Sequence, residues 1–90
     1  MEHEELSRTI EAILLVAVEP LPPQLLAELT EEKVERVEQA LDELARAYER
    51  ERRGFVLARI AGGARLQTHP DLAPYVESRC DTSRLAKRST

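Results

Sequence analysis

The stretch that decides the fold is FVLARIAGGARLQT, residues 55–68. Its first part, residues 55–60, is rich in β-branched and large apolar side chains, which is typical of a β-strand. Gly62 and Gly63 come next, and a second strand-like run, residues 65–68, lies just beyond them. Tight hairpin turns need positive φ angles, which glycine adopts at little cost. The stretch therefore predicts a β-hairpin, or wing, whose turn is formed by Gly62 and Gly63.

The third of three predicted helices precedes this hairpin and carries the clearest helical signal. Thr30 is expected to cap its N-terminus, because a threonine hydroxyl accepts a hydrogen bond from a free backbone N–H. Along residues 31–51 the apolar side chains recur at intervals of three and four, the spacing of one helical face. They are Val34, Val37, Leu41, Leu44 and Tyr48. Fewer than three heptads are present, which favours a core-facing helix over a coiled coil.

The first predicted helix, residues 4–18, is apolar on two sides. One side consists of Leu6, Ile10, Ile13, Leu14 and Ala17. The other side carries Ala12, Leu15 and Val16. Two interpretations of this other side stay open: a self-association surface, and a core contact against the hairpin. Prolines at positions 20, 22 and 23 end the helix, and Pro22 or Pro23 begins a short second helix.

A last short helix begins near Pro70, so the predicted order is helix, helix, helix, strand, strand, helix. This order is that of a winged helix-turn-helix, mainly α with a small β-hairpin. Residues 1–79 are expected to form this domain, and residues 80–90, which are polar and basic, a linker or tail. The predicted core consists of Ile10, Ile13, Leu14, Leu25, Leu29, Val37, Leu41, Leu44, Leu57 and Leu66.

Residue types and spacings give no indication of an enzyme. The chain has two histidines and one cysteine, with no CxxC or HxxxH pair. A zinc site needs about four ligands at characteristic spacing. The Gly62-Gly63 pair is followed by a strand, so no helix N-terminus is available there to hold a phosphate. We therefore expect no catalytic residue, no cofactor and no metal.

The predicted location is the cytoplasm. The longest apolar run, residues 12–18, is far shorter than the roughly 20 residues that span a bilayer. The N-terminus is acidic, whereas a secretory signal begins with basic residues. The single Cys80 suits a reducing compartment. We therefore expect no membrane partner.

Charge is divided unevenly along the chain and bears on DNA binding. The net charge of −4 is the sum of −9 for residues 1–51 and +5 for residues 52–90. A helix-turn-helix protein that reads DNA places its second motif helix in the major groove. Here that role falls to residues 31–51, whose net charge is −4. Since DNA affinity depends on neutralising phosphates, sequence-specific nucleic-acid binding is not expected, while weak nonspecific contact by the basic half stays open.

Two blocks of the sequence carry a family resemblance. The first is IEAILLV, residues 10–16, followed by Glu19-Pro20-Leu21. The second is IAGGARLQT, residues 60–68, followed by Pro70 and by APYV, residues 73–76. Together they resemble the N-terminal winged-helix domain of the segregation and condensation protein B family, and the resemblance covers residues 6–79. The sequence departs from the family in the short junction at Leu29-Thr30 and in Pro22-Pro23, which replaces a polar helix cap.

The resemblance implies a non-catalytic scaffold subunit of the bacterial SMC–kleisin condensin complex. Such a subunit acts in chromosome condensation and segregation by forming a homodimer and by binding the kleisin, segregation and condensation protein A, and through it SMC. A nucleoid-associated location follows, with Ala12, Leu15 and Val16 expected at the dimer contact. The family has two winged-helix domains, so this chain is expected to be a fragment. The alternative is a winged-helix transcription regulator that binds DNA.

Overall fold

A computed structural model describes residues 1–79, and within them it contains four α-helices and one antiparallel hairpin. The elements are α1 (His3–Val16), α2 (Pro23–Thr30), α3 (Val34–Arg50), β1 (Phe55–Ile60), β2 (Gly63–Thr68), a single 3-10 turn (Pro70–Leu72) and α4 (Ala73–Arg79). This order confirms the predicted winged helix-turn-helix. The expected tail, residues 80–90, and with it Cys80, lies outside the described residues.

The junction between α2 and α3 differs from the prediction that Thr30 caps α3. Thr30 is the last residue of α2, and its buried hydroxyl donates a 2.7 Å hydrogen bond to the carbonyl of Leu26. Glu31 then adopts the left-handed conformation, with φ of 57°, and ends the helix. Lys33 precedes α3 and gives it no side-chain cap. The prediction was wrong because a threonine hydroxyl also donates, and here it bonds backward into its own helix.

The core lies where α1, α2 and α3 meet the inner face of the hairpin. Its buried apolar residues are Leu6, Ile10, Leu14, Leu26, Val37, Ala40, Leu41, Tyr48, Leu57 and Ala64, and partly buried around them are Ile13, Leu21, Ala27, Leu44, Ala45 and Leu66. The prediction was wrong for Leu25 and Leu29, whose side chains are 36% and 56% exposed. Leu26 occupies the core instead, because helical rotation places it on the same face as Pro23 and Thr30.

The wing turn has Ala61 and Gly62 at its centre, with φ of 52° and 76°. Positive φ at both central residues is typical of the turn that joins two tightly paired antiparallel strands. Gly63 is therefore not a turn residue, contrary to the expectation. It is the first residue of β2 and pairs with Ile60.

The linker between α1 and α2 is bonded to the wing. Leu21 and Ala64 form an isolated antiparallel bridge, with N···O distances of 2.9 and 2.8 Å. Beside this bridge, a Cβ atom on Gly63 would lie 2.9 Å from the backbone carbon of Pro20. The absence of a side chain at Gly63 thus permits the close approach of the two segments.

Candidate protein-interaction surface

The outward side of α1 presents an apolar stripe that consists of Ala12, Leu15 and Val16. The side chains of Leu15 and Val16 are 75% and 78% exposed, and Ala12 is also exposed. They lie opposite the buried positions of α1, since helical rotation separates the two sets by about half a turn. Of the two interpretations left open by the sequence, a core contact within one chain is inconsistent with this exposure. Val18, just beyond the end of α1, is also highly exposed, at 91%.

An apolar groove of about 490 Å³ runs beside the stripe, between α1 and the hairpin. It is lined by Glu11, Leu15, Phe55, Leu66, Gln67 and Thr68. The ring of Phe55 packs edge-on against that of Tyr48, with centroids 4.8 Å apart and an interplanar angle of 72°. Leu15 belongs to both the stripe and the groove, so the two form one continuous apolar surface.

A hydrogen bond fixes the wall of this groove. The hydroxyl of Tyr48, on α3, donates to Oε2 of Glu11, on α1, over 2.5 Å. Burial raises the pKa of the Tyr48 phenol well above its usual value, and the hydrogen bond to Glu11 raises it further. The phenol therefore stays protonated at physiological pH. The carboxylate of Glu11 is held in place at the rim of a mostly apolar groove.

The face of α3 that would enter a DNA groove is mainly acidic. Exposed along it are Glu35, Gln39, Asp42, Arg46 and Glu49. The wing residue Arg59 is itself neutralised, because its Nη2 lies 2.8 Å from Glu38 and 3.4 Å from Asp42, both on α3. This arrangement places negative charge where a DNA reader needs positive charge.

Neutralising the two carboxylates that hold Arg59 is expected to unmask nonspecific DNA affinity. The unmodified chain should not shift a duplex of about 20 base pairs at 0.15 M salt, whereas Glu38→Gln combined with Asp42→Asn should bind it weakly, with an affinity that falls steeply as salt rises. Fluorescence anisotropy across a salt series measures both. Tight, sequence-selective binding by the unmodified chain would instead support the transcription-regulator alternative.

Within residues 1–79, no helix is long and apolar enough to cross a membrane. In the same part of the chain, no three histidine, cysteine, aspartate or glutamate side chains converge as they would around a metal ion. His69 caps the 3-10 turn that follows β2. Its Nδ1 accepts a hydrogen bond from the backbone N–H of Asp71, 3.1 Å away, at the start of the 3-10 turn.

Comparisons with known proteins all point to one family. Residues 8–89 match the model of a family described as segregation and condensation complex subunit ScpB. Segregation and condensation protein B of Syntrophotalea carbinolica is 40% identical over 84% of this chain and 39% of its own length. The protein of that name from Desulforamulus reducens is 34% identical over 83% of this chain and 41% of its own length. The chain therefore spans about two fifths of the length of these relatives.

Solved structures agree with this assignment. ScpB from Mycobacterium tuberculosis superimposes with a TM-score of 0.86 at 33% identity, over 93% of this chain and 52% of the other. A second structure, described as a dimer of the ScpB N-terminal domain complexed with ScpA peptide, gives a TM-score of 0.78 at 26% identity, over 83% of this chain and 94% of the other. The resemblance seen in the two sequence blocks is thus confirmed, and the chain belongs to the ScpB family of segregation and condensation complex subunits.

Proposed function

We propose that this chain is the dimerising scaffold domain of an SMC–kleisin condensin subunit, acting in chromosome condensation and segregation without catalysing a reaction. The observation that carries the proposal is the exposed α1 stripe in a member of this family. A large apolar patch on a small domain is typical of an interface with another protein. The structural relative that forms a dimer with a bound ScpA peptide is a chain of similar extent, which supports a second copy and the kleisin as the two partners.

The stripe is suited to pairing with a second copy of itself. In a two-fold dimer the same patch occurs on both subunits, so each buried side chain counts twice. Complete burial of a leucine or valine side chain contributes about 1.5–3 kcal/mol. Leu15 and Val16 each expose about three quarters of their surface, and most of that gain is still available for association.

Leu15→Glu is expected to convert the dimer into a monomer. The change introduces two carboxylates into one two-fold contact, and burial of an unpaired charge is strongly unfavourable. We expect the dimer dissociation constant to rise at least about 100-fold, equivalent to about 2.7 kcal/mol. Light scattering after size-exclusion chromatography, over a concentration series, measures the mass. Val16→Glu should act in the same direction.

Leu29→Glu provides the matched control, because Leu29 is a leucine of comparable exposure on α2, outside the stripe. This variant should remain dimeric. If Leu15→Glu keeps the mass of the unmodified protein, or if Leu29→Glu dissociates it equally, α1 is not the interface. Co-purification of the full-length protein with the kleisin encoded in the same genome tests the second partner, and SMC should be recovered only when that kleisin is present.

A further inference from the structure

The outer edge of the hairpin carries backbone groups with no hydrogen-bond partner. β2 pairs with β1 along one side, and on its other side Ala64 bonds to Leu21. In an antiparallel pair, residues alternate between those whose N–H and C=O point to the partner strand and those whose groups point away. Because the groups of Ala64 point away from β1, those of Leu66 and Thr68 do so as well. These four groups have no partner among residues 1–79.

The apolar groove follows this open edge. Leu66, Gln67 and Thr68 form its β2 side, and Glu11 and Leu15 form its α1 side. An extended peptide that pairs with a free strand edge gains main-chain hydrogen bonds, while its alternate side chains enter a neighbouring pocket. The edge and the groove together provide both requirements. An apolar side chain of such a peptide would enter the groove beside Leu15.

The face of β2 opposite to that of Leu66 and Thr68 indicates which charge the neighbouring residue of such a peptide would carry. Arg65 lies on that face, since alternate side chains of a strand point to opposite sides. Its Nε is buried and has no hydrogen-bond partner. A side chain opposite Gln67 on an added strand would share this face and lie diagonal to Arg65, within reach of a long side chain. Arg65 forms no ion pair with any residue of 1–79, so a carboxylate at that position would pair with its guanidinium group.

We propose that an extended segment of the kleisin adds to the β2 edge as a third strand, with an apolar residue in the groove and an acidic residue beside Arg65. The identity of the partner rests on the proposed function. Leu21 already occupies the place opposite Ala64, so the added strand pairs with residues 66–68. A second copy fits this edge less well, because Pro70 follows its own β2 almost at once and has no N–H to donate.

Overlapping synthetic peptides that span the kleisin encoded in the same genome provide the probe. Titration of these peptides onto the full chain, followed by fluorescence anisotropy, identifies those that bind. Hydrogen exchange by NMR then reports on individual amides. A bound peptide is expected to slow the exchange of the Leu66 and Thr68 amides at least about tenfold, because both become hydrogen-bonded.

Thr68→Pro and Thr68→Val form a matched pair. Proline removes the outward N–H of this edge position, whereas valine keeps that N–H and the shape of the side chain. We expect Thr68→Pro to weaken peptide binding about tenfold, which is the usual effect of losing one hydrogen bond. Thr68→Val should leave peptide binding nearly unchanged. Circular dichroism verifies that both variants fold. Arg65→Glu, which does not alter the backbone edge, should weaken binding of the acidic peptide by a similar factor.

The outcomes separate this inference from the proposed function. If a kleisin peptide binds while the exchange of Leu66 and Thr68 is unchanged, strand addition is wrong and the kleisin partner stands. If no kleisin peptide binds the folded chain, both are wrong. If exchange at these two amides slows with protein concentration in the absence of peptide, a second copy occupies the edge, which also overturns the inference.

Discussion

Leu26→Ala is expected to lower the free energy of unfolding by about 2–5 kcal/mol, the usual range for a leucine removed from a core. Leu26 is completely buried at the centre of α2 and is packed among the residues of all three helices that form the core. A 90-residue chain has a thin core, so few neighbouring side chains can move to fill the cavity that the substitution creates. Chemical denaturation followed by circular dichroism gives the free energy directly.

Leu29→Ala is the control for this effect, since it deletes the same atoms from the same helix. More than half of the Leu29 side chain is exposed, and its loss should change the free energy of unfolding by about 0.5 kcal/mol or less. Equal effects of Leu26→Ala and Leu29→Ala would mean that α2 is rotated about its axis relative to the described fold.

Gly63→Ala is expected to lower the free energy of unfolding by about 3 kcal/mol, the upper end of the usual cost of overpacking. The added Cβ would lie 2.9 Å from both the backbone carbon and the Cβ of Pro20. Pro20 cannot move aside freely, because the next residue, Leu21, is bonded to Ala64. The same denaturation experiment measures the loss, and hydrogen exchange at the Leu21 and Ala64 amides should become faster.

Gly62→Ala separates this steric effect from the ordinary requirement of a turn for glycine. An added Cβ at Gly62 meets no atom within 4 Å, and the cost arises only from its positive φ. That cost is about 1 kcal/mol for alanine. If Gly62→Ala destabilises the domain more than Gly63→Ala does, the contact between the linker and the wing is not limiting.

Element order and the main helical face could be predicted because they depend on local patterns. The apolar face of α3 extends over five positions, which fixes the orientation of that helix. In α2, by contrast, eight residues contain three leucines, and a pattern of that length does not determine which of them faces the core. Tertiary packing selected Leu26. The position of Gly63 likewise depends on Pro20, more than forty residues earlier, which no local pattern encodes.

The interaction surface could be predicted only in part. The second apolar side of α1 was identified because Leu15 and Val16 do not fit the stripe formed by the core positions. The extent of the open β2 edge was not predicted, since it depends on the bridge between Leu21 and Ala64, which closes one end of that edge. This bridge joins the two sequence blocks that resemble the family, Glu19-Pro20-Leu21 and residues 60–68. The two blocks therefore contain both sides of a backbone contact, and this contact holds the wing in place.

The bridge at Leu21 also limits which strands can pair with the free edge of the hairpin. Exposed strand edges are templates on which further chains pair without end, as in fibrils. Here Leu21 closes one end of β2 and Pro70 lies just beyond the other, which leaves space for about three residues of a guest strand. A site of that length accommodates one short peptide segment and does not support continued addition of strands. The domain therefore keeps a strand edge that can bind a peptide without favouring polymerisation.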